Sequence, residues 1–557
     1  MAGPGERAAA AVRGAIERRP ALLSAAVAAV LLVPFLATVD DLDSNGQSQQ
    51  GLYVIDVLSH GHVFVPSEPG RFASKPPLYT WASALLSLPF GRVTPFTLKL
   101  PAAIAGVLTV WATARIGVLA GGALLGFLSG LVLATNFHFL RLASISRPDP
   151  LLALFVALAF LEVARAALPG CPRPERRHLL AWLFVGLAGL AKGPIGAGVF
   201  AAGMAPHLAL RRDKETLRAM RPLLGLAIVL ALLLAWFVPA ALVGGPDYVH
   251  QLLHYEMLDR VTGTGSGKDR VQPVYSYALY LLARFQPWSL LAPAAVMAAR
   301  DDRLRRLTHL VTWWFLGGIV LFTLSAGKRP NYLLPIYPAA AILAALPFAR
   351  PARPVLARRT LAIASAAFAA FGALALAALP FASLLAERLP ASAAPTIGLV
   401  RENLPVAVAL VAPALALSLA AHRLARRGRL AASLATVAAA SGAAILVYQT
   451  FVTPLLVERD TDSHRVAAAV ASEMRGGDAL LFHGAYKSSV LFYLGLNQAE
   501  STEEEIEARA ARGEGRVLVL VTERTREAFE ARFPGFRLAF LSAGTGKFPA
   551  HALFVSR

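Results

Sequence analysis

Charge is scarce in this chain. Asp, Glu, Lys and Arg make up 16% of its 557 residues and hydrophobic types 56%, against about 25% charged in soluble domains. A soluble single-domain packing is excluded, because apolar runs of about 18 residues or more recur along the chain, and each is long enough to cross about 30 Å of hydrocarbon. Cysteine is nearly absent too: Cys171 stands alone and cannot form an internal disulfide. No cluster of His or Cys suggests a zinc site, and His60 and His62 read as surface residues. No cofactor is expected, and dependence on a divalent metal is left open. Internal repeats and low-complexity tracts are missing beyond the Ala and Leu of the apolar runs. Acids are also short of bases, 34 against 54, which leaves a net charge of +20. Topology accounts for that excess better than nucleic acid does.

The apolar runs predict a polytopic α-helical membrane protein of about 13 transmembrane helices. They lie near residues 20–39, 97–118, 122–140, 149–167, 178–191, 193–210, 221–243, 275–299, 306–325, 331–349, 358–380, 403–422 and 429–450. The first follows Arg7, Arg13, Arg18 and Arg19 as a signal peptide would. It is long and has no clear small-residue cleavage site, so it reads as an uncleaved span. Alternate connecting segments carry about half of the 54 Lys and Arg, which marks their face as cytoplasmic. The N-terminus falls on that face, and the opposite one carries two long loops, 40–96 and 244–274. Loops of that length are usually functional. Within them, residues 47–60 and 248–260 mix apolar and polar positions as interfacial helices do. Residues 1–455 form the membrane domain. From 456 to 557 scattered charge and short apolar runs, "DALLFH" and "RVLVLV", alternate with helical stretches 502–511 and 523–532, as in a small extracytoplasmic α/β domain.

Orientation requires no basic residue on the outer face, so those placed there are informative. Lys75, Arg141, Arg147, Lys192, Arg260, Lys328 and Arg329 fall at or outside that boundary, with Asp40, Asp41, Asp43, Asp149, Asp247, Glu256 and Asp259. Taken singly, each reads as a solvated or snorkelling charge. Three have more specific surroundings. Lys75 precedes Pro76 and Pro77, Lys192 sits in "LAKGPIG", and Lys328 and Arg329 precede Pro330. Proline cannot extend a helix backwards, so each base is held at a helix start, where unpaired N–H groups favour an anion. Three such corners on one face point to a phosphate site, and a lipid-linked phosphate fits that depth. Sugar transfer from phosphate needs a base for the acceptor hydroxyl and cations for the leaving group. "DDLDSNGQ" offers Asp40, Asp41 and Asp43, and "SRPDPLL" offers Asp149, which also reads as an ordinary acid at a helix N-terminus.

"KPPLYTW", "LAKGPIG", "HYEMLDR", "FQPWSLLAP" and "KRPNYLLPIYP" resemble, in order and in loop position, bacterial members of the dolichyl-phosphate-mannose-protein mannosyltransferase superfamily. The similarity covers about residues 20–350 and is to the lipid A 4-amino-4-deoxy-L-arabinose transferase type. The resemblance implies a GT-C fold glycosyltransferase of the bacterial inner membrane with a periplasmic C-terminal domain. It would take sugar from a polyprenyl-phosphate donor, without a nucleotide sugar, to lipid A, another envelope glycan or protein. It implies Asp43 as catalytic base, with Asp40, Asp41 and Asp149 as alternatives. Donor-phosphate contacts would come from Lys75, Lys328, Arg329 and Tyr332, and Lys192, Glu256, Arg260 and Gln47 would line the cavity. The chain departs from the family pattern at Gln47, where Glu is usual, at Gln49, where Arg is usual, and at Ser74, where an acid commonly precedes the lysine. Two other readings use the same residues: a transporter or flippase of a lipid-linked sugar, and a non-catalytic polyprenyl-phosphate-binding relative. Paired repeats and mid-membrane charges, the usual marks of transporters, are lacking.

Overall fold

The computed structural model describes the chain apart from residues 1–3, 39–41, 43–45, 259–261, 263–270, 299–304, 352, 382–401, 486, 545–549 and 557. The chain divides into two compact units. One comprises residues 1–37, 74–79 and 99–452, the other residues 38–73, 80–98 and 453–557.

The first unit is helical. Each of the thirteen apolar runs forms helix, and among the described residues eight helices are long and apolar enough to cross a membrane by themselves, or nine with a bent pair. Where the sequence predicts unbroken spans, three are interrupted, each for a visible reason. The run 122–140 becomes Ala123–Ala134 and Phe137–Ala143, bent by 71°. Asn136 starts the second piece by accepting the Phe139 N–H at 2.8 Å, and its Nδ2 donates to Arg284 O at 3.1 Å. An Asn that caps a new helix satisfies an orphan N–H at its start. The run 275–299 splits into Ser276–Arg284, Trp288–Leu291 and Ala292–Ala298 around Pro287, which has no N–H for the helical ladder. The run 331–349 opens as a 3-10 segment, Pro330–Ile336, before helix Tyr337–Ala349. That helix is almost wholly buried, its Ala-rich surface letting neighbours approach closely.

Helices Asp149–Ala166 and Pro174–Lys192 form a tight antiparallel pair. Gly193, at φ 79°, ends the second at Lys192. Buried Glu162 pairs with Arg165 and, at 3.0 Å, with Arg177, which pins one end of the hairpin. Further on, Gly245 at φ 67° breaks the stretch Pro222–His250 into a long helix and its continuation from Pro246, near the predicted end of that span at 243.

The second unit is an α/β fold. Strands β1 (Ser67–Glu68) and β2 (Arg71–Phe72) form a small hairpin. Strands β3 (Ala479–His483), β4 (Val517–Thr522), β5 (Phe536–Leu541) and β6 (His551–Ser556) form a sheet of order β3-β4-β6-β5. Strands β3 and β4 run parallel, Ala479 facing Val517, and the other pairs are antiparallel. Helices Glu503–Arg512 and Glu523–Arg532 fall within a residue of expectation. The first opens on a Thr502–Glu505 capping box, which satisfies two orphan N–H groups.

Helix Gln47–His60 corrects the expectation of an interfacial helix. It belongs to this unit, and Gln47, Gln50, Leu52, Val54 and Asp56 are all buried, so it keeps no apolar face for lipid. The cause is a close approach: a Cβ built on Gly51 would lie 2.3 Å from Cδ2 of Phe492. The missing side chain makes room for that ring on the neighbouring helix Ser488–Leu494.

Candidate functional site

Two helix ends and a proline-bounded turn meet in the first unit. Asp149 begins its helix between Pro148 and Pro150, positions where a missing N–H costs no hydrogen bond. Lys192 ends the partner helix, so the antiparallel hairpin brings both side chains to one level. Lys192 Nζ donates to Asp149 Oδ1 at 2.5 Å. Asn331, in the 3-10 segment, donates Nδ2 to the same oxygen at 2.8 Å. Arg147 Nε lies 3.5 Å from Oδ2, which accepts no hydrogen bond from the described residues. Tyr332 presents its ring to Lys192, Nζ to centroid 4.8 Å, a cation–π contact. Asp149 is 1% exposed. A buried carboxylate needs such partners, because leaving it unpaired costs several kcal/mol, roughly 3–5 when one partner is removed.

The Lys-Pro-Pro segment seats beside this node. Tyr79 is buried in a cluster with Ala102 and with Leu151, Leu154 and Ala191, the last three being near neighbours in sequence of Asp149 and Lys192. Lys75, four residues earlier, is half-buried, and its Nζ donates to Ser74 O at 3.2 Å and to Ser74 Oγ at 3.4 Å. Lys328 is buried, and its Nζ donates to Ser325 O at 2.7 Å and Ala326 O at 3.4 Å. It therefore ties the turn after helix Arg305–Leu324, where carbonyls lack helical partners. Arg329, next in sequence, is exposed.

Of the residues singled out from sequence, the structure brings together Arg147, Asp149, Lys192 and Tyr332. Lys75 and Lys328 engage their own local backbone. Gln47 is buried at the start of its helix in the second unit. Asp40, Asp41, Asp43 and Arg260 lie outside the described residues, as does the side chain of Glu256, whose backbone is in the π-helical turn Gln251–Leu258. Sequence reasoning passed over Asn331, since an Asn beside Pro330 reads as a turn residue. It also passed over Lys99, a buried lysine whose Nζ donates to Phe35 O at 3.1 Å. A lone lysine inside the apolar run 97–118 was the available signal.

Residues 74–238 match the dolichyl-phosphate-mannose-protein mannosyltransferase family. An undecaprenyl phosphate-alpha-4-amino-4-deoxy-L-arabinose arabinosyl transferase of Proteus mirabilis is 27% identical over 283 residues, 49% of either chain. One from Pseudomonas fluorescens is 30% identical over 199 residues, 35% of this chain and 33% of the other. The chain thus spans about half, or less, of the curated relatives of this type that it matches. A crystal structure of ArnT from Cupriavidus metallidurans bound to undecaprenyl phosphate superposes with TM-score 0.76 at 19% identity, covering 96% of this chain and 97% of that one. The fold is the GT-C fold of that protein.

Proposed function

We propose that this GT-C chain is a membrane glycosyltransferase of the bacterial inner membrane that moves a sugar from a polyprenyl-phosphate donor to an envelope acceptor: lipid A, another glycan or protein. The observation that carries this reading is the buried Asp149–Lys192–Asn331 node with Tyr79 of the Lys-Pro-Pro segment packed against its base. It gives a GT-C fold a rigid cationic corner of the kind that a lipid-linked phosphate requires. The relatives named above act on undecaprenyl phosphate-linked aminoarabinose, which supports the same donor class here. The cytoplasmic N-terminus and the periplasmic tail domain follow from the distribution of basic residues.

In this account the acceptor hydroxyl oxygen attacks the anomeric carbon while the bond from that carbon to the phosphate oxygen breaks. Its electron pair leaves with polyprenyl phosphate, and the hydroxyl proton passes to Asp43, with inversion at the sugar. Lys75 and Arg329 stabilise the charge gathering on the departing phosphate, and Lys328 offers its remaining N–H to the same group. Asp149, already committed to Lys192 and Asn331, positions those two groups; its role is orientation of the cationic corner.

Mass spectrometry of lipid A and periplasmic glycoproteins from a deletion strain tests this reading. Loss of one sugar-sized mass increment from a defined acceptor is the expected result. Unchanged acceptors, together with flux of a lipid-linked sugar across proteoliposomes, would assign the chain to transport instead.

A further inference from the structure

Asp56, His60 and His62 come together in the second unit, with one potential ligand atom from each within 4.8 Å of the others. Asp56 and His60 are one helical turn apart and share a face. His60 is the last residue of its helix, and Gly61, in the left-handed region at φ 74°, turns the chain back so that His62 returns to the same carboxylate. His60 Nδ1 lies 2.9 Å from Asp56 Oδ1, and His62 Nδ1 lies 3.1 Å from each carboxylate oxygen. Asp56 is buried and further fixed by the Ser67 N–H at 2.8 Å and the Ser67 hydroxyl at 3.2 Å, both on Oδ2. The two imidazoles are about half exposed, with side-chain exposures of 50% and 54%.

We infer that Asp56, His60 and His62 form a binding site for a divalent transition-metal ion, zinc foremost, on the first long loop. Two imidazole nitrogens and a carboxylate make a donor set that suits zinc, copper or nickel and not magnesium or calcium. Bonds of about 2.0–2.1 Å to a tetrahedral ion place neighbouring donors roughly 3.3–3.4 Å apart. The observed nitrogen–oxygen separations of 2.9 and 3.1 Å need open only by a few tenths of an ångström. The exposed rings can supply that movement while the buried carboxylate stays fixed. The Ser67 N–H and hydroxyl orient the ligating carboxylate from behind, the usual outer support of a metal ligand. Three protein ligands leave a fourth position to water or to an incoming group. Through Ser67 the ion would also tie the end of helix Gln47–His60 to β1, within the segment that joins Gln47 to Lys75.

The test uses the full-length chain in detergent, free of any polyhistidine tag, titrated with cobalt(II) and then with competing zinc. The expected result is one equivalent of cobalt with the intense visible absorption of a tetrahedral site, displaced by zinc. The double variant His60→Ala/His62→Ala should lose that absorption, and its zinc affinity should fall by more than about 100-fold, beyond what loss of an outer support produces. His62→Ala alone should weaken zinc by at least about tenfold. In the double variant buried Asp56 keeps the Ser67 N–H and hydroxyl, and unfolding curves in chelator check that the variant is folded before its metal binding is compared with that of the parent. Equal metal binding by parent and double variant, or no stoichiometric binding by the parent, would overturn the assignment.

Discussion

Lys192 Nζ lies 2.5 Å from Asp149 Oδ1, although 43 residues separate the two in sequence. Their ion pair closes one end of a helix hairpin whose other end is closed by Glu162 and Arg177. The pair is therefore an architectural clasp, and both its members are residues that the sequence motifs singled out. Asp149→Asn and Lys192→Met should each lower stability by roughly 3–5 kcal/mol, because either leaves a buried group uncompensated. The double variant should lose clearly less than the sum of the two. A double-mutant cycle of denaturant unfolding in detergent measures that coupling; strict additivity would show that the clasp contributes nothing as a pair.

Gly51 gives a prediction of opposite sign to the general rule. Gly→Ala inside a helix ordinarily stabilises by up to about 1 kcal/mol. Here a Cβ would fall 2.3 Å from the Phe492 ring, and overpacking of that kind costs about 1–3 kcal/mol. Gly51→Ala should therefore destabilise, and Phe492→Leu in the same chain should recover part of the loss. Thermal unfolding of the parent and the two variants decides it.

The second unit carries a pH-sensitive pair. The Arg516 guanidinium, hydrogen-bonded to Asp478 at 2.7 Å, holds that carboxyl below its usual range, helped by the Arg475 and Arg516 backbone N–H groups. A carboxyl depressed in the folded state contributes stability above its unfolded value of about 3.9, and that contribution is lost as pH falls through the folded value. Asp478→Asn should reduce stability near neutrality and flatten the decline below about pH 4. Unfolding midpoints of parent and variant from neutral to acid pH provide the check.

Lys75 and Lys328 should separate under substitution. Lys75 is only half-buried, so Lys75→Ala should weaken binding of a polyprenyl-phosphate donor by about tenfold or more, a charge-assisted contact of about 1.4 kcal/mol or above, with a smaller change in unfolding than substitution of Lys328. Buried Lys328 ties the turn at Ser325 and Ala326, so Lys328→Ala should lower both donor binding and stability. Donor binding and unfolding measured side by side distinguish the two roles.

Much of the fold was legible in the sequence because membrane helices announce themselves by length and apolarity. The tail domain was legible because β3 and β4 are short apolar runs between helices of clear polarity. The breaks at Asn136 and in the 3-10 segment Pro330–Ile336 were not. The Asn136 amide finds its partner at Arg284, 148 residues on, and no local pattern reveals such a pairing. The site divides in the same way. Asp149 and Lys192 stood out as charges next to proline or glycine at the edges of apolar runs. Asn331 did not, since its value lies in meeting Asp149 from 182 residues away. The burial of helix Gln47–His60 depends on Phe492, distant in sequence, and its own composition suggested a lipid interface instead.

The central claim is chemical turnover on a polyprenyl-phosphate-linked sugar, and the most direct measurement is release of free polyprenyl phosphate by the purified chain, compared with its Asp43→Asn variant. Substrates would be an undecaprenyl phosphate-linked sugar and lipid A or an extracted envelope acceptor. The account predicts glycosylated acceptor and free undecaprenyl phosphate in equal amounts from the parent, and donor binding without release from Asp43→Asn. Full release by Asp43→Asn would contradict Asp43 as the base. Donor binding by the parent with no release on any acceptor would contradict the glycosyltransferase account itself.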